Sequence, residues 1–224
     1  MIVPRYEAHL RERFAELLQE ASQFYMAAGN VYETLRRLAR RLDDEAIPYA
    51  LIGGMALAAH GFVRMTQDVD VLMTAQGLDK FRERCVGRGY VPAFQGAQKA
   101  FRDTETGVRV EIIATGEFPG DGKPKPVAFP DPASSSVQHE GMRVITLEKL
   151  IELQLASGMT APHRLRDLAD VQDVITALHL PEEFAERLDL SVRAKFFELW
   201  SAAPSTEITN EQMTNCSLFT VHWS

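Results

Sequence analysis

LIGGMALAAHGFVRMTQDVDVLM, residues 51–73, places two glycines and two carboxylates within one strand–helix–strand pattern. The apolar run Tyr49-Ala50-Leu51-Ile52 reads as a buried strand. Gly53-Gly54 after it reads as a tight turn that lets a ligand approach the backbone. Met55 to His60, rich in Ala and Leu, predicts a short helix that Gly61 ends. The first N–H groups of that helix would attract an anion, phosphate above all. Asp68 and Asp70 then interrupt an apolar strand of Val69, Val71 and Leu72. A charge on a buried strand is costly unless it is paired or bound to a metal. Residues i and i+2 of a strand share a face, about 6–7 Å apart. The two carboxylates therefore project together, and Val69 and Val71 point the other way. Such a pair suits a hard divalent cation, and phosphate donors beside it imply chemistry on a nucleotide phosphate.

Further along, Val108-Arg109-Val110-Glu111-Ile112-Ile113 alternates polar with apolar and predicts a strand with one buried face. Taken together these residues resemble the nucleotidyltransferase fold of DNA polymerase β and its relatives. The match runs through Ile52-Gly53-Gly54, a thirteen-residue spacer from Met55 to Gln67, and Asp68-Val69-Asp70-Val71. The resemblance implies a third carboxylate on a later strand, for which Glu111 is the best match. Within that superfamily, Arg64-Met65-Thr66-Gln67-Asp68 resembles the Arg-x-Thr-x-Asp lead-in of AbiEii-like toxins and related small bacterial nucleotidyltransferases. Residues 146–175 resemble the helices that follow the core in those proteins, so the likeness covers residues 45–178.

What the resemblance implies is a metal-dependent nucleotidyltransferase, moving an NMP from an NTP onto an acceptor. That acceptor would be RNA, a protein hydroxyl or a small molecule. Asp68, Asp70 and Glu111 would be the catalytic set and would hold two Mg²⁺ ions, or Mn²⁺ in their place. Gly53 and Gly54 would hold the nucleotide phosphates. Arg64 would stabilise the leaving phosphates, and Thr66 would orient Asp68 or contact a phosphate. A toxin-like member would have a cognate antitoxin as partner. The other reading is a non-catalytic nucleotide-binding or interaction module on the same fold, since a fold does not dictate a function.

In Arg164-Leu165-Arg166-Asp167-Leu168-Ala169-Asp170, Asp167 and Asp170 share one helical face. They are either ion-paired to Arg164 or Arg166, or part of the nucleotide site, with Asp167 the stronger candidate for the site. The related toxins carry a lysine in the preceding helix where this chain has Gln154. A glutamine cannot supply positive charge to a triphosphate, which weakens the step from the core to a specific toxin-like activity and to a choice of nucleotide. His60 reads as a packing or capping residue, and no pair of histidines has metal-ligand spacing.

The net charge of −7 over 224 residues argues against general affinity for nucleic acid but leaves room for local patches. Arg36, Arg37, Arg40 and Arg41 are one such patch, either the solvated face of an amphipathic helix or a landing surface for a polynucleotide. No apolar run reaches the length of a membrane span, and the charged N-terminus lacks a secretory signal. Cys85 and Cys216 have no metal or redox spacing, so the expected compartment is cytoplasmic.

The expected architecture is α+β, with a mixed or antiparallel sheet flanked by helices in a nucleotidyltransferase-like core over residues 47–145. A helical extension precedes it (1–46, with one helix over 5–27), C-terminal helices follow (146–203), and 204–224 form a poorly ordered tail. Residues 116–136 hold five of the eleven prolines and read as a loop, either a lid or a connector. Met142–Ile145 reads as an edge strand.

Overall fold

The structure, a computed structural model, describes residues 29–203. The helix expected over 5–27 and the tail at 204–224 lie outside the described residues. Helix α1 covers 29–44. It is followed by β1 (Tyr49–Ile52), α2 (Gly53–Ala59), β2 (Asp68–Met73), α3 (Ala75–Cys85), β3 (Tyr90–Pro92), β4 (Ala100–Asp103) and β5 (Arg109–Ala114). Then come β6 (Ser136–His139), β7 (Met142–Ile145), α4 (Leu147–Thr160), α5 (Leu165–Ala177) and α6 (Leu190–Ala202). The strands form one mixed sheet in the order β3-β4-β5-β2-β1-β7-β6. The α+β expectation holds.

Position in the sheet explains each strand's composition. β1 is buried along its whole length, as its unbroken apolar run requires. β2 lies at the centre, antiparallel to β1 and parallel to β5. Val69 and Val71 are fully buried on one side of it, while Asp68 and Asp70 are half-buried on the other. Behind the sheet, Phe81 of α3 meets Tyr90 at a tilt and Phe101 edgewise, at centroid distances of 5.3 and 5.0 Å. α1 presses Val31, Leu35, Leu38 and Leu42 into the same core.

α4 is the unusual helix. Residues Leu150 to Gly158 are buried without a break, which a one-sided amphipathic helix never shows. Thr146 caps its N-terminus by accepting from the Lys149 N–H. It contacts both α5 and α6, so neither of its sides is left to water.

Three sequence expectations change. β7 is an interior strand, parallel to β1 and antiparallel to β6. The edge on that side is β6, whose exposed Val137-Gln138-His139 gives no apolar signal. α2 begins at Gly53 itself, so the glycine pair opens the helix instead of preceding it. The arginine patch is half internal: Arg37 pairs with Asp103 and Glu105, and Arg41 donates to the Arg84 carbonyl at 3.0 Å. Only Arg36 and Arg40 remain exposed.

The proline-rich loop is fastened to α4. Lys125 Nζ donates to the Pro119 carbonyl at 2.5 Å, to Asp121 Oδ1 at 2.6 Å and to Thr160 Oγ1 at 2.9 Å. Gly120, at φ +74°, lies so close that a Cβ there would fall 2.7 Å from the Ser157 carbonyl oxygen. Among the described residues no helix is long and apolar enough to cross a membrane.

Candidate active site

The segment leading into β2 sets the geometry of one side of a cavity of about 580 Å³. Through residues 61–68 exposure alternates, with Val63, Met65 and Gln67 outward and Phe62, Arg64, Thr66 and Asp68 inward. This two-residue period of extended chain brings Arg64, Thr66, Asp68 and Asp70 to the same cavity. Thr66 Oγ1 donates to Asp68 Oδ1 at 2.8 Å.

β5 supplies the third carboxylate. Its parallel register sets Glu111 directly beside Asp70 and Arg109 beside Asp68. Asp68, Asp70 and Glu111 all line the cavity, and their crowding shows in the acidity of the most enclosed of them. Burial first, and then the charges of Asp68 and Glu111, push the Asp70 carboxyl up to about 7, against the pull of Arg64 and Arg164.

The two glycines divide their roles. Gly53, at φ +62°, lines the cavity, and a Cβ there would overlap Asp70 Oδ2 and sit 3.2 Å from its Cγ. Only glycine combines that backbone angle with that clearance. Gly54 is buried behind the cavity, where a Cβ would fall 2.9 Å from that of Thr66. The structure thus puts Gly53 at the site and gives Gly54 a packing role beneath it.

The facing wall is helical. Leu150, Leu153, Gln154 and Ser157 of α4 line it, with Arg164, Arg166 and Asp167 at the start of α5. Arg164 Nε donates to Ser157 Oγ at 3.2 Å and to Asp167 Oδ2 at 3.0 Å. Arg64 lies 3.0 Å from Asp170 Oδ2, and Asp170 is almost wholly buried. Burial raises the Asp170 carboxyl above the usual range, while Arg64 opposes the shift. Arg64 is therefore tied to α5 as well as facing the cavity. Asp167 lines the cavity as expected and is ion-paired too. His60 packs, with Nε2 2.7 Å from the Ile145 carbonyl oxygen.

Sequence reading missed Ser157, Phe118 and Phe129 as cavity residues. Phe118 and Phe129 sit in the proline-rich loop, whose path is set by Lys125 and Gly120 and carries no periodic signal. The fact that the loop lines the cavity answers in part the choice between lid and connector: it is a wall.

The donor set suits a hard divalent cation: three carboxylates on one surface, without nitrogen or sulfur. Their mutual repulsion, visible at Asp70, is relieved when a cation or a proton is bound. Among the described residues no three His, Cys, Asp or Glu side chains already close round one point. Glu111 is instead held by Arg109, whose Nη2 donates to Glu111 Oε2 at 2.7 Å.

Among solved structures, ANT(2'')-Ia in complex with adenylyl-2''-tobramycin is similar, with a TM-score of 0.50 and 13% identity over 74% of this chain and 96% of that one. The fold is nucleotidyltransferase-like. An antigenic nucleotidyltransferase-like protein from Paracoccidioides brasiliensis is also similar, with a TM-score of 0.48 and 16% identity over 78% of this chain and 87% of that one. No family model matches the chain, and no curated protein matches its sequence. On the nucleotidyltransferase-like fold, the cavity with the three carboxylates lies at the centre of the sheet, where β1, β2 and β5 run side by side.

Proposed function

We propose that the chain is a metal-dependent nucleotidyltransferase that moves an NMP from an NTP onto an acceptor hydroxyl. The observation that carries this reading is the register of Asp70 beside Glu111, with Asp68 on the same face of β2 and arginines across the cavity. Asp68, Asp70 and Glu111 would hold Mg²⁺ or Mn²⁺. Ions held there would supply Lewis-acid polarisation of the phosphate, a lower pKa for the attacking hydroxyl and charge neutralisation for the leaving pyrophosphate.

The chain's own groups do the positioning. Thr66 fixes the direction of the Asp68 carboxylate through its 2.8 Å bond. Gly53 leaves the space in which Asp70 stands, and it presents backbone to the phosphates. Arg64, held in place by Asp170, and Arg164, held by Asp167, offer positive charge to the triphosphate. Asp167 thus acts on the nucleotide through Arg164.

A second reading has support of its own. The Arg109–Glu111 pair occupies the third carboxylate, and a non-catalytic nucleotide-binding module would keep it there. Incubation of the full chain with Mg²⁺ and α-labelled NTPs, in the presence of RNA, protein or small-molecule fractions, separates the two. Transfer of label that disappears in Asp70→Asn supports the enzyme. Tight NTP binding with no labelled product in any fraction supports the module. The fraction that takes the label identifies the acceptor, whether the small-molecule class seen with ANT(2'')-Ia or the RNA or protein acceptor of a toxin-like enzyme. A toxin-like enzyme working in the cytoplasm would be neutralised by the product of a neighbouring gene.

A further inference from the structure

We infer that Gln154 reads the nucleobase of the bound nucleotide, and that the helical wall recognises a neutral heterocycle at the level where Gln154 stands. The inference rests on the nucleotidyltransferase reading above and adds to it a residue that sets which nucleotide is taken. Gln154 lines the cavity with only 8% of its surface exposed, and its Oε1 is fully buried with no hydrogen-bond partner among the described residues. Buried side-chain amides are almost always satisfied, so an unpartnered amide on a residue that lines a cavity marks a place where a ligand can complete the bond.

The chemistry of that ligand follows from the surroundings. A carboxamide offers a donor and an acceptor side by side and carries no charge. A phosphate group presents acceptors alone and is better matched by the guanidinium groups of Arg64, Arg164 and Arg166 in the same cavity. Gln154 shares its wall with Leu150, Leu153 and Ser157 of the same helix, and Ile113, Phe118 and Phe129 are among the other apolar residues of the cavity lining. A flat apolar ring whose edge carries an amino or imino hydrogen beside an acceptor fits that combination. A glutamine paired to such a base edge is a standard means of telling bases apart. Three other polar side chains of the cavity have protein partners: Ser157 accepts from Arg164, Asp68 from Thr66 and Glu111 from Arg109.

The test measures equilibrium binding of ATP, GTP, CTP, UTP and tripolyphosphate to the full chain in Mg²⁺, for the wild type, Gln154→Met and Gln154→Ala. Methionine keeps the length of the side chain and removes only the hydrogen-bonding atoms. The wild type should favour one NTP, and both variants should lose about tenfold of that preference, the order of one base-edge contact. Tripolyphosphate, which has no base, should bind all three proteins equally. Equal loss of tripolyphosphate and NTP affinity would assign Gln154 to the phosphates and overturn the inference. An unchanged ranking of NTPs in either folded variant would overturn it too. A purely structural role predicts a lower melting temperature for Gln154→Met, whereas a ligand-reading role predicts an equal or higher one, since an unpartnered polar group is replaced by an apolar one. Failure of the wild type to bind any NTP would instead bring down the nucleotidyltransferase reading itself.

Discussion

On the strand wall of the cavity, three carboxylates share one surface and only Glu111 has a base beside it, Arg109; on the helix wall, Asp167 and Asp170 each have one. Asp68, Asp70 and Glu111 share one surface, and the most enclosed of them holds its proton up to about pH 7. Across from them Asp167 pairs with Arg164, and Asp170 with Arg64. The difference separates two kinds of polar burial. The strand wall gathers carboxylates whose repulsion a bound cation would relieve, while the helix wall matches its acids with bases of the chain and serves as a frame. Gln154 is the exception on the helix side.

Removing a carboxylate from the strand wall should have the largest effect. Asp70→Ala is expected to lower nucleotidyl transfer by about 10³-fold or more, since bound cations contribute several kcal/mol to such reactions. The melting temperature should not fall, and retained transfer at the wild-type rate would break the assignment.

On the frame side, Arg64→Ala leaves Asp170 buried without its nearest counter-charge. The expected loss is about 2–3 kcal/mol in urea unfolding, below the full cost of orphaning a buried charge because Arg64 is partly exposed. Adding Asp170→Ala should recover much of it, and simple additivity of the two would show that the pair is not coupled.

Titration sharpens the contrast next. A carboxyl raised to about 7 in the fold, from 3.8, binds its proton more tightly folded than unfolded. Stability from Asp70 is thus fully present below pH 3.8 and drains away as the pH rises to 7. Without divalent cations, Asp70→Asn should melt higher than wild type at pH 8, with the gap closing toward pH 5. Saturating Mg²⁺ should stabilise the wild type at pH 8 and leave the variant unmoved. A gap that stays constant with pH would count against the crowding.

The smallest expected effect concerns the outer surface. Arg36→Glu with Arg40→Glu should change stability by no more than about 0.5 kcal/mol. Arg37→Glu, which loses Asp103 and Glu105, should cost about 1–2 kcal/mol. A filter-binding assay in which the Arg36/Arg40 variant loses RNA would restore the landing surface that the fold has halved.

Much of the strand wall was legible because its signals are local and periodic. Asp68 and Asp70 two residues apart, and Glu111 in an alternating run, fix their faces by strand geometry alone. The same period extends back through Thr66 and Arg64, so their spacing already contained the inward direction that the structure shows. The helix wall was less legible, since it depends on which turn of α4 meets which turn of α5. Gln154 and Asp167 could be named in advance, but the Arg64–Asp170 bond spans more than a hundred residues and has no local mark. β6 escaped notice because an exposed edge strand needs no apolar pattern. The division of labour between Gly53 and Gly54 depends on two side chains, Asp70 and Thr66, whose positions no glycine pattern encodes.

The pairing of Leu51 in β1 with Val144 in β7 bears on how the chain comes into being. Synthesis runs from the N-terminus at about 5–20 residues per second. Glu111 therefore emerges several seconds before Arg164 and Asp167 do. During that interval the carboxylate strands have no facing wall, and the apolar side of α4 has yet to be made. β1 must also wait for β7 before its second neighbour arrives. A complete cavity is a late event in the life of each molecule, reached when the final third of the chain folds back over the strands made long before it.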